Sequence, residues 1–186
     1  MKAFVMIVLI FGCVAVQAQT PVGSFTVMNV DGTSVSLDSY NNAAGVVVIF
    51  TSNYCPYDGY YKLRIRDLIK NYNDKVPFIL VNSHPDESMQ SMKIAYGAWA
   101  LPVPYLADKE QVAMSALGAK KSPEAYLLKS VNGKFVTLYS GALDDNPQAP
   151  EGVTSYYIKQ AIDKLLASQD VNMPSVRPVG CSIRQK

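Results

Sequence analysis

Gly45-Val-Val-Val-Ile-Phe-Thr-Ser-Asn-Tyr-Cys-Pro-Tyr-Asp58 is the segment that decides the fold class. It opens with a continuous run of apolar, mostly β-branched residues, which is typical of a strand covered on both faces. Cys55 follows, and Pro56 suits the first helical position because its missing N–H would be unpaired there anyway. A thiol at a helix N-terminus is favoured as the thiolate by backbone N–H groups and by the helix dipole. Asp58 stands three residues after the cysteine, so the second thiol of a Cys-x-x-Cys motif is absent.

The first residues predict export. Lys2 precedes an apolar run over residues 3–16, which is too short to span a bilayer comfortably. Small or tolerated residues then allow cleavage after Ala18, so residues 1–18 are interpreted as a secretory signal peptide. The alternative is a lipoprotein processing site that leaves Cys13 lipidated; the apolar residues after this cysteine count against it. We expect a periplasmic or secreted protein with no membrane span.

Length and charge bound the remaining possibilities. The 186 residues suffice for one domain, predicted over 19–168, and a tail over 169–186 that lacks periodicity. Loss of Lys2 lowers the Lys and Arg total from 17 to 16 against 15 acids, so no basic patch favours nucleic acid. The same cleavage leaves two of the three cysteines, Cys55 and Cys181, in a compartment where disulfides persist.

Hydrophobic periodicity predicts the element order β-β-β-α-β-α-α-β-β-α, an α/β sandwich with a mixed central sheet. The predicted strands cover residues 24–30, 34–37, 45–51, 76–82, 124–129 and 134–139. Four helices are predicted. The first starts after Cys55, the second ends near Trp99, the third spans Lys109–Leu117 with Asp108 and Gln111 as a capping pair, and the fourth carries Ile158–Leu166. The carboxyl ends of the two buried parallel strands meet at one sheet edge, where sites usually lie.

These features resemble the thioredoxin-fold superfamily, and within it the peroxiredoxin-like redoxin group, the alkyl hydroperoxide reductase and thiol-specific antioxidant family. The resemblance covers nearly all of residues 19–186 and implies a thioredoxin-like three-layer sandwich with a mixed central β-sheet flanked by helices, and no cofactor. Four segments look like those of one uncharacterised subgroup: Ser-Asn-x-Cys-Pro-Tyr57, Pro104-Tyr-Leu-x-Asp108, Gly141-Ala-x-Asp-Asp145 and Gly180-Cys-Ser-Ile183.

The resemblance also implies roles for individual residues. Cys55 matches the attacking, or peroxidatic, thiol, and Ser52 matches the hydroxyl residue that hydrogen-bonds this sulfur. Ser122-Pro123 resembles the cis-proline that thioredoxins set beside their thiol, where the backbone of Ser122 pairs with a bound substrate segment. Tyr57 is interpreted as lining a shallow apolar groove for the substrate.

Two peroxiredoxin hallmarks are missing. Val48 stands where these proteins place a proline seven residues before the cysteine, and the later strand lacks their arginine. Without the arginine as a donor to the peroxide oxygens, a slower or different reaction is expected. Asp58 is interpreted as a structural first-turn acid that favours the helix dipole or pairs with Lys62, with proton transfer as the alternative. The lone histidine, His84, is expected to be a solvated loop residue.

Cys181 has two interpretations. It lies in a proline-bearing tail, where a resolving cysteine that condenses with a sulfenic acid on Cys55 is expected. Alternatively, a permanent disulfide pins the tail to the domain, worth roughly 4–5 kcal/mol in the chain-entropy model. Redox-active pairing is favoured.

Three functions stay open. The first is an exported peroxiredoxin-like oxidoreductase that acts on a peroxide or a protein disulfide and is restored by an external thiol reductant such as a thioredoxin-like protein. The second is a thiol–disulfide oxidoreductase acting on exported proteins. The third is a non-catalytic binding or metal-handling module with a structural Cys55–Cys181 bridge. Copper or zinc binding by both cysteines and His84 ranks last, because the Cys-x-x-x-Cys loop of exported metallochaperones is absent.

Overall fold

The computed structural model describes residues 21–186. The predicted signal peptide and Cys13 therefore lie outside the described residues. Over this part the chain forms ten strands and four α-helices. The strands are β1 (Pro21–Val22), β2 (Thr26–Met28), β3 (Ser34–Ser36), β4 (Val46–Phe50), β5 (Phe78–Asn82), β6 (Tyr105–Ala107), β7 (Lys121–Ser122), β8 (Glu124–Val131), β9 (Lys134–Gly141) and β10 (Cys181–Ser182). The helices are α1 (Pro56–Tyr72), α2 (Met89–Trp99), α3 (Val112–Leu117) and α4 (Tyr157–Leu166).

Six of these strands form the central sheet, in the order β1-β9-β8-β4-β5-β6. β4, β5 and β6 run parallel, whereas β8 and β9 pair antiparallel with their neighbours, so the sheet is mixed as expected. The β8–β9 hairpin turns at Asn132 and Gly133, both with positive φ. This agrees with the type I′ turn that an Asn-Gly pair predicts.

The sheet separates two apolar layers, and β4 shows why. All five of its residues are buried, and because side chains alternate along a strand, Val47 and Ile49 face one layer while Val48 and Phe50 face the other. The first layer contains the apolar stripes of α1, α2 and α4. The second contains α3 and the β2–β3 hairpin. This confirms the three-layer α/β sandwich.

Several boundaries differ from the sequence prediction. β6 was not predicted, because Tyr105–Ala107 is only three residues long and shows no distinctive period. The helix predicted from Lys109 begins at Val112, because Asp108 accepts hydrogen bonds from the backbone N–H groups of residues 113 and 114. Gln111 takes no part in the predicted capping pair; it precedes the helix in a left-handed conformation. No helix within residues 21–186 has the length and apolar character needed to cross a membrane.

The tail contacts the domain at two glycines. Gly141 ends β9 with φ +134°, and a side chain there would overlap the backbone of Val176. Gly180 precedes Cys181, and a side chain there would overlap the carbonyl group of Ser122. Because only glycine lets two backbones approach this closely, the tail is fitted to the domain at both points.

We predict that Gly141→Ala destabilises the protein by about 1–3 kcal/mol, because a Cβ is strained at this φ and displaces Val176. Urea unfolding and hydrogen exchange over residues 174–183 measure the loss. Gly97→Ala in α2 is the matched control, since its Cβ meets nothing within 4 Å; it should stabilise by about 0.5–1 kcal/mol. Equal unfolding curves for Gly141→Ala and wild type would contradict this account of tail docking.

Candidate redox site

Cys55 lies at the carboxyl edge of the sheet, between β4 and α1. It is the N-cap residue of α1, its side chain caps no N–H group, and Pro56 occupies the first helical position as predicted. Only 5% of the residue is exposed. The thiol position is therefore set by the strand before it and the helix after it, and it lies among the first N–H groups of the helix.

Cys55 and Cys181 form a disulfide, with their Cα atoms 5.8 Å apart. Cys181 is in β10, which pairs antiparallel with β7 so that it stands directly opposite Ser122. Thus two residues of the otherwise irregular tail form a strand partner for the segment before Pro123. The structure brings together four of the predicted site residues: both cysteines, Ser122 and Pro123.

The tail is also bound on both sides of Cys181. Before it, Ala142 N donates to Val176 O over 2.8 Å. After it, Gln111 Nε2 donates to Arg184 O over 2.7 Å, and Lys186 N donates to Gln111 Oε1 over 2.9 Å. Two further ion pairs of the tail, Arg184–Asp86 and Lys186–Glu110, are exposed and add little. These hydrogen bonds attach the tail to the domain on both sides of Cys181, in addition to the disulfide.

Ser122 connects the two cysteines to a buried acid. Its carbonyl oxygen lies 3.2 Å from Cys55 Sγ, its backbone pairs with Cys181, and its hydroxyl donates to Asp58 Oδ2. The Ser122–Pro123 peptide bond is cis, which confirms the prediction. The substrate-binding role of these two residues remains a prediction.

Asp58 does not pair with Lys62, so that part of the structural interpretation is wrong. The Lys62 ammonium lies 5.0 Å from the centre of the Trp99 ring, whereas Asp58 is 1% exposed and faces Ser122. Burial raises the pKa of the Asp58 carboxyl to about 7; the Ser122 hydrogen bond opposes this shift and the charge of Glu87 adds to it. A first-turn acid was identifiable from sequence, but its burial depends on β7, far along the chain.

Ser52 is buried beside Cys55, but its hydroxyl donates to Glu87 Oε2 over 3.1 Å. In this disulfide-bonded form the Ser52 hydroxyl therefore binds the Glu87 carboxylate rather than the Cys55 sulfur. Its predicted role towards a Cys55 thiolate stays a prediction.

Tyr57, the predicted groove residue, is half-buried on α1 and packs edge-on against Tyr60 at 6.2 Å between ring centres.

Glu87 is a site residue that sequence reasoning missed. It is fully buried and accepts hydrogen bonds from the Ser52 hydroxyl and from the backbone and side-chain nitrogens of Asn53. Lys109 Nζ donates to the carbonyl oxygens of His84 and Glu87, and burial lowers the pKa of this lysine. The one available signal was the position of Glu87, shortly after a buried strand at the carboxyl edge of the sheet.

A cavity of about 220 Å³ opens beside the disulfide and is lined by Cys55, Cys181, His84 and the tail residue Ile183. His84 is half-buried rather than solvated, its ring lies edge-on to Tyr54, and its Nδ1 has no hydrogen-bond partner in the part of the chain that is described. His84, which was predicted to be a solvated loop residue, therefore lines the cavity. Among residues 21–186, no cluster of His, Cys, Asp and Glu has the geometry of a metal site.

Comparison with known proteins agrees with this geometry. Residues 18–137 match the AhpC/TSA family, which is well over half of the chain. The chain belongs to the AhpC/TSA family. A search of curated protein sequences gave no match.

Solved structures share the fold of this AhpC/TSA chain. An uncharacterized conserved protein from Geobacillus kaustophilus is 30% identical with a TM-score of 0.81, over 90% of this chain and 92% of that one. A hypothetical protein from Sinorhizobium meliloti is 24% identical with a TM-score of 0.79, over 91% and 94%. Peroxidoxin BcpB from Mycobacterium tuberculosis is 16% identical with a TM-score of 0.57, over 80% and 96%. These likenesses confirm the thioredoxin-like fold.

The arginines of α1 in this AhpC/TSA protein do not donate hydrogen bonds to Cys55. Arg64 donates to Asp144 Oδ2 and to Asn146 O, each over 2.7 Å, and its guanidinium carbon lies 3.8 Å from the centre of the Tyr61 ring. It fastens the loop after β9 to α1. Arg66 is exposed. Neither replaces the arginine that peroxiredoxins place at the thiol.

Asp58→Asn tests the buried acid through the pH dependence of stability. Because the folded pKa of Asp58 lies above its unfolded value, this group stabilises the fold fully below about pH 4 and loses that contribution as pH rises through 7. The stability of wild type relative to Asp58→Asn, from urea unfolding of the oxidised proteins, should fall by up to about 4 kcal/mol between pH 4 and 8. Asp67→Asn, an exposed acid of the same helix, is the control; a constant difference for Asp58→Asn would refute the raised pKa.

Proposed function

We propose that this protein is an exported thiol-dependent oxidoreductase of the peroxiredoxin-like type, in which Cys55 attacks and Cys181 resolves. The observation that carries the proposal is the disulfide between a helix N-terminus and a tail bound beside it. A thiol among helix N–H groups suits nucleophilic attack, and a tail held within bonding distance suits resolution. Family membership and the peroxidoxin-like fold support the same chemistry.

The proposed cycle has three balanced steps. The Cys55 thiolate attacks one oxygen of a peroxide, the O–O bond breaks, and Cys55 becomes a sulfenic acid while the other oxygen leaves as an alcohol or water after taking a proton. The Cys181 thiol then attacks the sulfenic sulfur, forming the disulfide and releasing water. An external dithiol transfers two electrons to the disulfide, which restores both thiols and leaves the partner oxidised.

The site favours a small oxidant. Cys55 is 5% exposed, and the cavity beside it measures about 220 Å³. A peroxide fits this space without displacement of the tail. Donors near the sulfur are the first N–H groups of α1, since the Ser52 hydroxyl donates to Glu87. Within residues 21–186, the hydrogen-bonded arginines Arg64 and Arg184 bind Asp144 and Asp86 instead. Fewer donors to the peroxide oxygens mean a slower reaction than in peroxiredoxins that have the arginine.

A second candidate is a thiol–disulfide oxidoreductase acting on exported proteins. One observation favours it: Cys181 and Ser182 pair antiparallel with Ser122 and Lys121, as an extended peptide of a partner protein would. In this reaction such a peptide replaces the tail after reduction, with Tyr57 beside it. The two candidates differ in whether the tail must leave β7 before the oxidant can reach Cys55.

Export is proposed from the sequence at the N-terminus and from the disulfide. The apolar run after Lys2 is typical of a signal peptide. An oxidised Cys55–Cys181 pair persists in the periplasm or outside the cell, but not against the thiol pools of the cytosol.

The peroxide cycle predicts the chemical state of each cysteine. After a pulse of hydrogen peroxide, reduced Cys181→Ser should carry a sulfenic acid on Cys55 that a dimedone probe traps for mass spectrometry. The wild type should instead close the disulfide, and Cys55→Ser should leave Cys181 unmodified. Failure to oxidise Cys55 with peroxide, together with rapid oxidation by a protein disulfide, would favour the second candidate.

Gly180→Ala should slow disulfide closure about tenfold to a hundredfold, because its Cβ meets the Ser122 carbonyl and moves Cys181 away from Cys55. The rate of sulfenic acid formation on Cys55 should stay unchanged. Quenched-flow alkylation with mass spectrometry separates the two steps, and Gly97→Ala serves as the matched control. Unaltered closure in Gly180→Ala would show that Cys181 reaches Cys55 by another route.

A further inference from the structure

Asp58 is the buried titratable group that the proposed cycle leaves unused. It occupies the third position of α1, one helical turn from Cys55, and is 1% exposed. Its Oδ2 accepts a hydrogen bond from Ser122, whereas no donor within the described residues is well aligned on its Oδ1. The Thr51 hydroxyl and the Ser52 N–H lie near the carboxyl and lower its pKa, but the effect of burial is larger. A proton on Oδ1 lowers the cost of burying a poorly satisfied carboxylate and creates a donor for a neighbouring oxygen such as Thr51 Oγ1.

The charges around Asp58 also favour the protonated form. Glu87, from the segment before α2, is buried nearby and accepts hydrogen bonds from Ser52 and Asn53. Tyr105, from β6, interacts electrostatically with Asp58, and burial raises the pKa of its hydroxyl. The closest cation along α1, Lys62, is held over the Trp99 ring. No ion pair of Asp58 exists within residues 21–186 to offset the repulsion from Glu87.

Reduction of the disulfide adds a further negative charge to this environment. Cys55 Sγ lies 3.2 Å from the Ser122 carbonyl oxygen, and the hydroxyl of the same serine binds Asp58. A Cys55 thiolate and an Asp58 carboxylate so placed repel each other in a poorly solvated site. Two interacting acids of this kind titrate as a pair, because ionisation of one opposes ionisation of the other.

We propose that Asp58 holds the proton that the Cys55–Cys181 pair takes up on reduction and releases on oxidation. This inference rests on the proposed function, since it concerns the same disulfide. Asp58 reaches Cys55 through Ser122, so it is a positioning residue rather than a catalytic one. A cavity of about 410 Å³ that borders both Cys55 and Asp58 gives the carboxyl a route for proton exchange with solvent.

The proton balance of the cycle fits this role. When Cys181 attacks the sulfenic acid, its thiol loses a proton and the Cys55 sulfur releases hydroxide. That hydroxide takes the thiol proton and leaves as water, while Asp58, which becomes a carboxylate as the thiolate charge is lost, releases its own proton to solvent through the cavity; this proton balances the one that the leaving peroxide oxygen takes up. When an external dithiol opens the disulfide, one of its two protons goes to the Cys181 sulfur and the other to Asp58, while Cys55 forms as the thiolate. No additional oxidant or reductant is needed.

The first test uses the unaltered protein, so it does not depend on a variant that folds. The carboxyl carbon signal of Asp58 is followed by NMR from pH 4 to 10 in the oxidised protein and in the protein reduced with excess dithiothreitol. The midpoint should lie close to pH 7 in the oxidised form and at least about one unit higher in the reduced form, because a thiolate then faces the carboxyl. Equal midpoints in the two forms would overturn the inference.

The second test measures the thiol. In a Cys181→Ser background, the rate of Cys55 alkylation by iodoacetamide should rise with pH in two steps, one for each member of the coupled pair. Adding Asp58→Asn should leave one step, with its midpoint about one unit lower because the opposing charge is gone. Asp67→Asn controls for loss of an acid from α1. An identical profile with and without Asp58→Asn would overturn the inference.

The two tests separate this inference from the proposed function. If dithiothreitol fails to open the disulfide in the folded protein, the bridge is structural, and the proposed function and the inference both fail. If the disulfide opens but the Asp58 midpoint does not move, only the proton-holding role fails.

Discussion

The antiparallel pairing between Ser122 and Cys181 is the interaction on which the rest of the site depends. It brings the tail alongside the residue that contacts Cys55 and Asp58, so one backbone segment sets the position of both cysteines and of the buried acid. Such close approach is possible because position 180 is glycine. The site is therefore assembled from three distant parts of the chain, which meet at a strand two residues long.

The fold supplies the rigid frame for this arrangement. β4 is buried on both faces, and its end carries Cys55 directly to the N-terminus of α1. The buried Glu87 holds the connection between the two elements by binding Ser52 and Asn53. The tail adds a second cysteine to this frame, and that cysteine is bonded to Cys55.

Local sequence was sufficient for the parts of the structure that depend on local forces. The buried strand, the Cys55–Pro56 helix start and the Asn132-Gly133 turn each follow from residues that lie next to one another. The count of two cysteines after the predicted cleavage gave the possible pairing of Cys55 with Cys181, and the resemblance to thioredoxin-fold proteins added the cis bond before Pro123. The burial of Asp58 and Glu87 could not be predicted, because it depends on contacts with Ser122 and Ser52 across 64 and 35 positions of sequence. Charged residues are normally exposed, so sequence alone gave no reason to expect a buried Asp58.

The central claim is that the Cys55–Cys181 disulfide is reduced and formed again while the protein stays folded. Equilibration in buffers of reduced and oxidised dithiothreitol or glutathione, with mass spectrometric counting of free thiols and far-UV circular dichroism on the same samples, tests it most directly. The account predicts a reversible two-electron transition within the range of catalytic thiol oxidoreductases, roughly −120 to −270 mV, with unchanged secondary structure. A bridge that stays closed below roughly −300 mV, or that opens only as the protein unfolds, would contradict it.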